Sequence, residues 1–152
     1  MEYENKERTI VSKSYVEKNF RELEKDWFKN YAYPVGDDIF VTWSDNPDKH
    51  TPLNHSCEPN IWHDHGNENH YARRDIKKGE HLTIDYGTYV ANTSLQFECT
   101  CGQACCRKIV TSNDYLKPEI LEKYKGHFSC YLTSKINSLY LLKMQISLDH
   151  EN

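Results

Sequence analysis

The chain has 152 residues, of which 38% are hydrophobic, 28% charged and 12% aromatic, with 11 tyrosines and only 6 glycines. That is the make-up of one folded domain with a real core, and it excludes a disordered chain. A formal charge of −4 and a pI near 6.0 give no reason for a nucleic-acid surface.

The first residues, Met1–Arg8, lack the apolar segment of a signal peptide, and no run of about 18 apolar residues occurs that would span a membrane. Six cysteines without an export signal favour metal binding over disulfides and a reducing compartment, cytoplasm or nucleus.

Ser14-x-x-Glu17 has the form of a capping box. Val16, Phe20, Leu23 and Trp27 follow at helical spacing, which predicts one helix over 14–30. Pro34 and Gly36-Asp37-Asp38 mark a break and a turn before a β-rich run, Ile39–Trp43. Residues 44–60, with Pro47, Pro52 and Pro59, read as loop. Asn60–His63 and Asn69–Arg73 read as short strands around Gly66-Asn67. A turn at Lys77–Glu80 leads to a strand at His81–Asp85, and Thr100–Arg107 is a cysteine loop. Pro118 and Gly126 frame a helix at 118–125, and a further helix covers 129–142, followed by a loose tail. No repeat or linker divides the chain.

Cys99-x-Cys101-x4-Cys106 places three thiols in one short loop. Zinc takes four soft ligands in a tetrahedron, so a fourth must come from elsewhere. Cys105 is an extra thiol that could compete. Cys130, alone in a helix, is expected to be a buried small hydrophobe. His50, His55, His63, His65, His70, His81, His127 and His150 fit no standard helical metal motif, and most are expected at the surface or in turns.

Three blocks carry a resemblance: Asn54-His55-Ser56-Cys57, Gly79–Gly87 with Asp85-Tyr86-Gly87 at its end, and Cys99-x-Cys101-x4-Cys106. Together with Ala72–Glu80 they resemble the C-terminal half of a SET domain, the fold of most protein-lysine methyltransferases that use S-adenosylmethionine. The resemblance implies a mainly β, α+β fold: a β-clip with a pseudoknot, a post-SET zinc loop and short C-terminal helices. It implies one domain made of an N-terminal helical segment (1–38), a SET core (39–98), the zinc loop (99–110) and C-terminal helices with a tail (111–152). Asn54, His55 and Tyr86 would contact S-adenosylmethionine, Tyr86 would be the catalytic tyrosine, and Cys57 would complete a Zn2+ site with Cys99, Cys101 and Cys106. The implied partner is a protein presenting a lysine, with no direct nucleic acid and no membrane.

The chemistry suits those residue types. Methyl transfer is an in-line displacement by a neutral amine, promoted by alignment and fixed polar groups. Glu80 and Asp85 are read as fixing turns and backbone rather than as acids or bases.

The chain departs from the family in three places. No G-x-G precedes Asn54, Thr51-Pro52-Leu53 replaces the commoner R-F-[IV], and Val90 stands where many relatives have an aromatic residue that influences methylation degree. The resemblance is strong over about 39–110, weaker over 14–38 and 111–135, and absent upstream. Two readings follow: a SET-type methyltransferase, shortened or impaired by its missing glycine segment, or a non-catalytic zinc-stabilised interaction module.

Overall fold

The structure is a computed structural model that describes residues 8–43, 53–64, 69–91 and 93–149. The predicted turn at Gly66-Asn67 and most of the predicted loop over 44–60 lie outside them, as do His50, His65 and His150. The chain forms two compact units, residues 1–53 and 54–152.

In the first unit, β1 (Arg8–Ser12) and β2 (Tyr33–Pro34) flank β3 (Ile39–Trp43), both antiparallel to it. The β-branched and aromatic residues of 39–43 suit a central strand. Phe40 and Val41 are buried, and Phe28 meets Phe40 edge-on at 5.3 Å between ring centroids.

The single helix expected over 14–30 is two helices. α1 (Lys13–Asn19) is capped by Ser12, whose hydroxyl accepts from the Tyr15 amide, and α2 spans Glu22–Tyr31. Phe20 and Arg21 between them are extended. The Glu24 carboxylate takes the Arg21 amide at 2.8 Å and starts a new helix. Leu23, expected on the apolar stripe, is 84% exposed as a result.

In the second unit, β4 (Asn54–His55) runs parallel to β7 (Thr83–Ile84), and β5 (Ile61–His63) pairs antiparallel with β6 (His70–Ala72). β8 (Gln96–Glu98) pairs antiparallel with β9 (Ile109–Thr111). The predicted strands 60–63 and 69–73 are β5 and β6, whereas the strand expected over 81–85 narrows to two residues.

α3 (Pro118–Lys123) starts on its proline, and Gly126 follows it with φ +81°, the left-handed turn that favours glycine. α4 (Cys130–Asp149) begins where the Ser129 hydroxyl accepts from the Leu132 amide at 3.3 Å.

Three expectations are corrected here. Helices hold more of the described residues than strands, so the fold is an α+β mix of small sheets and helices rather than mainly β. The last helix is 20 residues long, not short, and no loose tail begins at 142, because Leu, Lys, Met and Gln there are good helix formers. Cys130 is exposed at the outer side of the first turn of α4.

The core of this unit is Ala91, Tyr115, Ile120, Tyr124, Phe128, Leu132 and Ile136, with Trp62 and Leu139 packed against it. A second cluster joins Cys57, Cys99 and Val110 to Tyr86, Phe97, Cys101 and Cys106. His63 is buried because it faces inward on β5, while His70 and His81 are exposed, as expected of most of the histidines. Among the described residues no helix is long and apolar enough to cross a membrane.

Candidate active site and thiol centre

The parallel pairing of β4 with β7 matches Asn54 to Thr83 and His55 to Ile84, and so sets His55 beside Asp85 and Tyr86. Asn60 locks this arrangement. Its buried amide accepts from the Thr83 amide at 2.8 Å and donates to the Glu80 carboxylate at 3.0 Å and the His81 carbonyl at 2.9 Å. Glu80 also pairs with Arg74 and accepts from the Lys77 amide. Those hydrogen bonds, from Arg74 foremost, hold its carboxyl down to about 2.

The His55 side chain is 3% exposed, and both its ring nitrogens are engaged. Nδ1 accepts from the Tyr86 amide at 3.1 Å, which leaves the proton on Nε2, 3.3 Å from the Cys57 sulfur. Burial pushes this imidazole down to about 4, so its approach to Asp85 is that of a neutral ring rather than an ion pair.

A cavity of about 440 Å3 is lined by Asn54, His55, Tyr86, Phe97, Glu98, Cys99, Thr100 and Cys101. Tyr86 and Phe97 meet edge-on at 5.9 Å, Tyr86 and Tyr89 at 5.5 Å, and His55 and Phe97 at 5.5 Å. The wall combines aromatic faces with amide, hydroxyl and carboxylate groups, the lining expected for an amphipathic small molecule.

The sulfurs of Cys57, Cys99, Cys101 and Cys106 all lie within 4.8 Å of one another. Those of Cys57 and Cys99 are 3.9 Å apart, close to the edge of about 3.8 Å that follows from zinc–sulfur bonds of about 2.3 Å in a tetrahedron. Burial pushes the Cys57 thiol up to about 12. Burial also acts upward on Cys101, but hydrogen bonds from the Cys57 and Gln103 main chain and from neighbouring thiols bring it down to about 6. Four clustered thiols cannot all ionise without a cation among them, and a soft dication meets that need. The donor set fits zinc. Cys105 stands apart from the four: it is exposed, with its sulfur 3.6 Å from the Cys57 carbonyl and the Glu58 carboxylate.

Gly102, at φ +72°, permits the tight turn after Cys101, and the Cys99 amide closes the loop on the Lys108 carbonyl at 2.6 Å.

The family model of the SET domain matches residues 1–87. The chain belongs to the SET-domain family. The match begins at residue 1, so residues 1–13, where the motifs alone carried no resemblance, and residues 14–38, where it was weaker, lie within the SET region.

Similar curated proteins include histone-lysine N-methyltransferase 2B of Homo sapiens, 38% identical over 64 residues that cover 38% of this chain and 2% of that protein. Histone-lysine N-methyltransferase ASHH3 of Arabidopsis thaliana is 33% identical over 84 residues, 51% of this chain and 23% of its own length. Histone-lysine N-methyltransferase SET5 of Eremothecium gossypii is 39% identical over 72 residues, 40% of this chain and 14% of that protein. The chain thus spans under a quarter of the length of each of these relatives. No solved structure gives a significant match.

Set against the SET-domain expectations, Asn54, His55 and Tyr86 share one cavity wall, and the four named cysteines converge beside it. Sequence reasoning gave no role to Arg107, Asp114 and Tyr124, which build a buried network under Tyr86. The Arg107 guanidinium takes both Asp85 oxygens, at 2.6 and 2.7 Å, and its Nε donates to Asp114 at 2.7 Å. The Tyr124 hydroxyl donates to Asp85 Oδ2 at 3.0 Å. Burial opposes the charge on Arg107, but the two aspartates raise its basicity further. Asp114 is held below the usual carboxylate range because Lys117 and Arg107 outweigh its burial. The one signal available was an arginine directly after the last cysteine of the 99–106 loop, far in sequence from the aspartate it binds.

Proposed function

We propose that this chain is a SET-type protein-lysine N-methyltransferase that uses S-adenosylmethionine and holds one structural zinc. The observation that carries the reading is the parallel β4–β7 pairing, which puts Asn54, His55 and Tyr86 on one cavity wall with the thiol cluster adjoining it. The same pairing supports the pseudoknot expected of the fold. The family match over residues 1–87 supports a SET domain that takes in the 1–38 segment and most of the 39–98 core. To it we assign the zinc loop (99–110) and the C-terminal segment (111–152) as the rest of the same domain. The relatives' names support a histone lysine as substrate, which would place the chain in the nucleus or the cytoplasm.

S-adenosylmethionine supplies an electrophilic methyl group. The Asn54 amide, exposed at the cavity, offers hydrogen bonds to the polar edges of that molecule, and Phe97 offers an apolar face. The rings of Tyr86 and Phe97 line the cavity, with Tyr89 packed on Tyr86. They would shield a lysine from water and disfavour its ammonium form, so that it gives its proton to solvent and keeps the amine lone pair available. The Tyr86 hydroxyl aligns the amine, and rate comes from alignment rather than from acid or base strength. Cys57, Cys99, Cys101 and Cys106 would hold zinc, which fixes the cavity wall that carries Cys99 and Cys101.

Calorimetry with S-adenosylmethionine, on wild type and Asn54→Ala, and a methyl-transfer assay on histone peptides test the reading. Binding weakened by Asn54→Ala, with turnover abolished by Tyr86→Phe at nearly unchanged affinity, is the expected pattern. No heat at millimolar cofactor would overturn it in favour of a non-catalytic interaction module.

A further inference from the structure

The buried charge network lies between the thiol centre and the tyrosine-bearing turn, and within it Arg107 touches both, on a route separate from the His55 ring that bridges the Cys57 sulfur and the Tyr86 amide. Arg107 follows Cys106 directly, and its amide points at the Cys57 sulfur at 3.4 Å. Its side chain, 9% exposed, crosses to the other side and grips Asp85 through both terminal nitrogens. Asp85 in turn fixes the turn that carries Tyr86. Its Oδ1 accepts from the Gly87 amide at 2.9 Å, and its carbonyl accepts from the Thr88 amide at 2.9 Å and hydroxyl at 2.7 Å. Gly87 has little room to shift, since a Cβ there would lie 3.2 Å from Asp114 Cβ and 3.3 Å from Asp85 Oδ1.

We propose that Arg107 is a positioning residue that transmits closure of the thiol centre to Tyr86. The inference rests on the role given to Tyr86 above. A guanidinium is required because only a planar fork satisfies both Asp85 oxygens while its third nitrogen holds Asp114. A lysine ammonium is a single point of charge and cannot span the two carboxylates. With the cysteine loop drawn in, the fork is held at fixed depth, and Asp85 and the 86–88 turn have one arrangement. With the loop open, the arginine follows Cys106 and the aspartate loses its clamp.

The test uses the full chain with 3-fluorotyrosine incorporated, the Tyr86 fluorine resonance being assigned by its absence in Tyr86→Phe. Zinc added to the thiol-reduced, metal-free wild type should shift that resonance. Arg107→Lys should still take up one zinc per chain, while its Tyr86 resonance shifts with the metal by less than half the wild-type amount, the remainder being carried by His55 between Cys57 and the Tyr86 amide. Where methyl transfer is measurable, Arg107→Lys should lower kcat roughly 10- to 100-fold with KM for S-adenosylmethionine within about twofold, as expected of lost alignment.

A Tyr86 resonance that follows zinc in Arg107→Lys by half the wild-type amount or more overturns the proposal. So does a wild-type resonance blind to zinc, or a variant whose KM rises with kcat unchanged. If Arg107→Lys does not fold, the double variant Arg107→Gln/Asp85→Asn, which removes both charges together, is read on the same signal with the same criteria. An inactive wild type would sink the methyltransferase reading alone, because the fluorine signal needs no turnover.

Discussion

His63 provides a measurable link between pH and stability. It sits inward on β5, 4% exposed, with neither ring nitrogen hydrogen-bonded among the described residues, beside His70 at 4.6 Å between centroids. Burial first, and the neighbouring His70 second, push its imidazole down from 6.5 to about 3. In the unfolded chain the ring titrates at about 6.5. The folded state is therefore neutral at pH values where the unfolded state is already protonated. The stability linked to this group is intact above pH 6.5 and falls as pH drops from there toward 3. At about 1.36 kcal/mol per unit, the loss between pH 7.5 and pH 5.0 comes to about 2 kcal/mol. Urea unfolding of wild type and His63→Leu at both values measures it. The quantity of interest is the wild-type pH difference minus that of the variant, so that acid effects on the cysteines cancel. A double difference below about 0.5 kcal/mol would refute the argument, since it would mean that the buried ring is protonated without cost or is not buried.

Three further outcomes follow from the geometry. Purified, reduced protein should carry one zinc per chain. Cys57→Ser or a chelator should remove several kcal/mol of stability in urea, while Cys105→Ser should leave the metal content unchanged. Tyr124→Phe deletes a buried hydroxyl that donates to Asp85 at 3.0 Å, and chemical denaturation should show a loss of about 1.5–3 kcal/mol, the range for hydrogen bonds to charged groups. Gly126→Ala should cost about 1–2 kcal/mol from left-handed strain alone in chemical denaturation, because an added Cβ meets nothing within 4 Å; Gly126→Asn should recover part of it in the same measurement.

What the chain's letters disclose is uneven, and for physical reasons. The cysteine cluster, the β5–β6 pair and the start of α3 rest on residue chemistry and local periodicity, and these were legible. The break at Phe20–Arg21 was not, because the apolar spacing runs through it and only the backward reach of Glu24 to the Arg21 amide ends the first helix. β1 was missed because it gains its identity from pairing with β3, about 30 residues away. β8 and β9, at three residues each, are too short for periodicity to show. Arg107 reads as one more exposed base until the fold brings Asp85, 22 positions earlier, to its guanidinium.

The 54–60 segment shows how far motif and geometry diverge within seven residues. By resemblance, Asn54 and His55 both face a cofactor. In the structure most polar side chains after Asn54 are engaged by other residues of the protein. His55 spans the Tyr86 amide and the Cys57 sulfur, and the Ser56 hydroxyl accepts from the Glu58 amide. Glu58 pairs with Arg73 and Lys123, and Asn60 ties down Thr83 and Glu80. Asn54, exposed at the cavity, is therefore the residue of this segment placed to give its side chain to a ligand. The His55 side chain is 3% exposed, and its hydrogen bonds serve the tyrosine turn and the thiol centre. Removing the Asn54 amide should accordingly weaken a ligand without loosening the fold. Removing the His55 ring withdraws the acceptor of the Tyr86 amide and the donor facing Cys57 together, and should be felt at the metal before it is felt at the ligand.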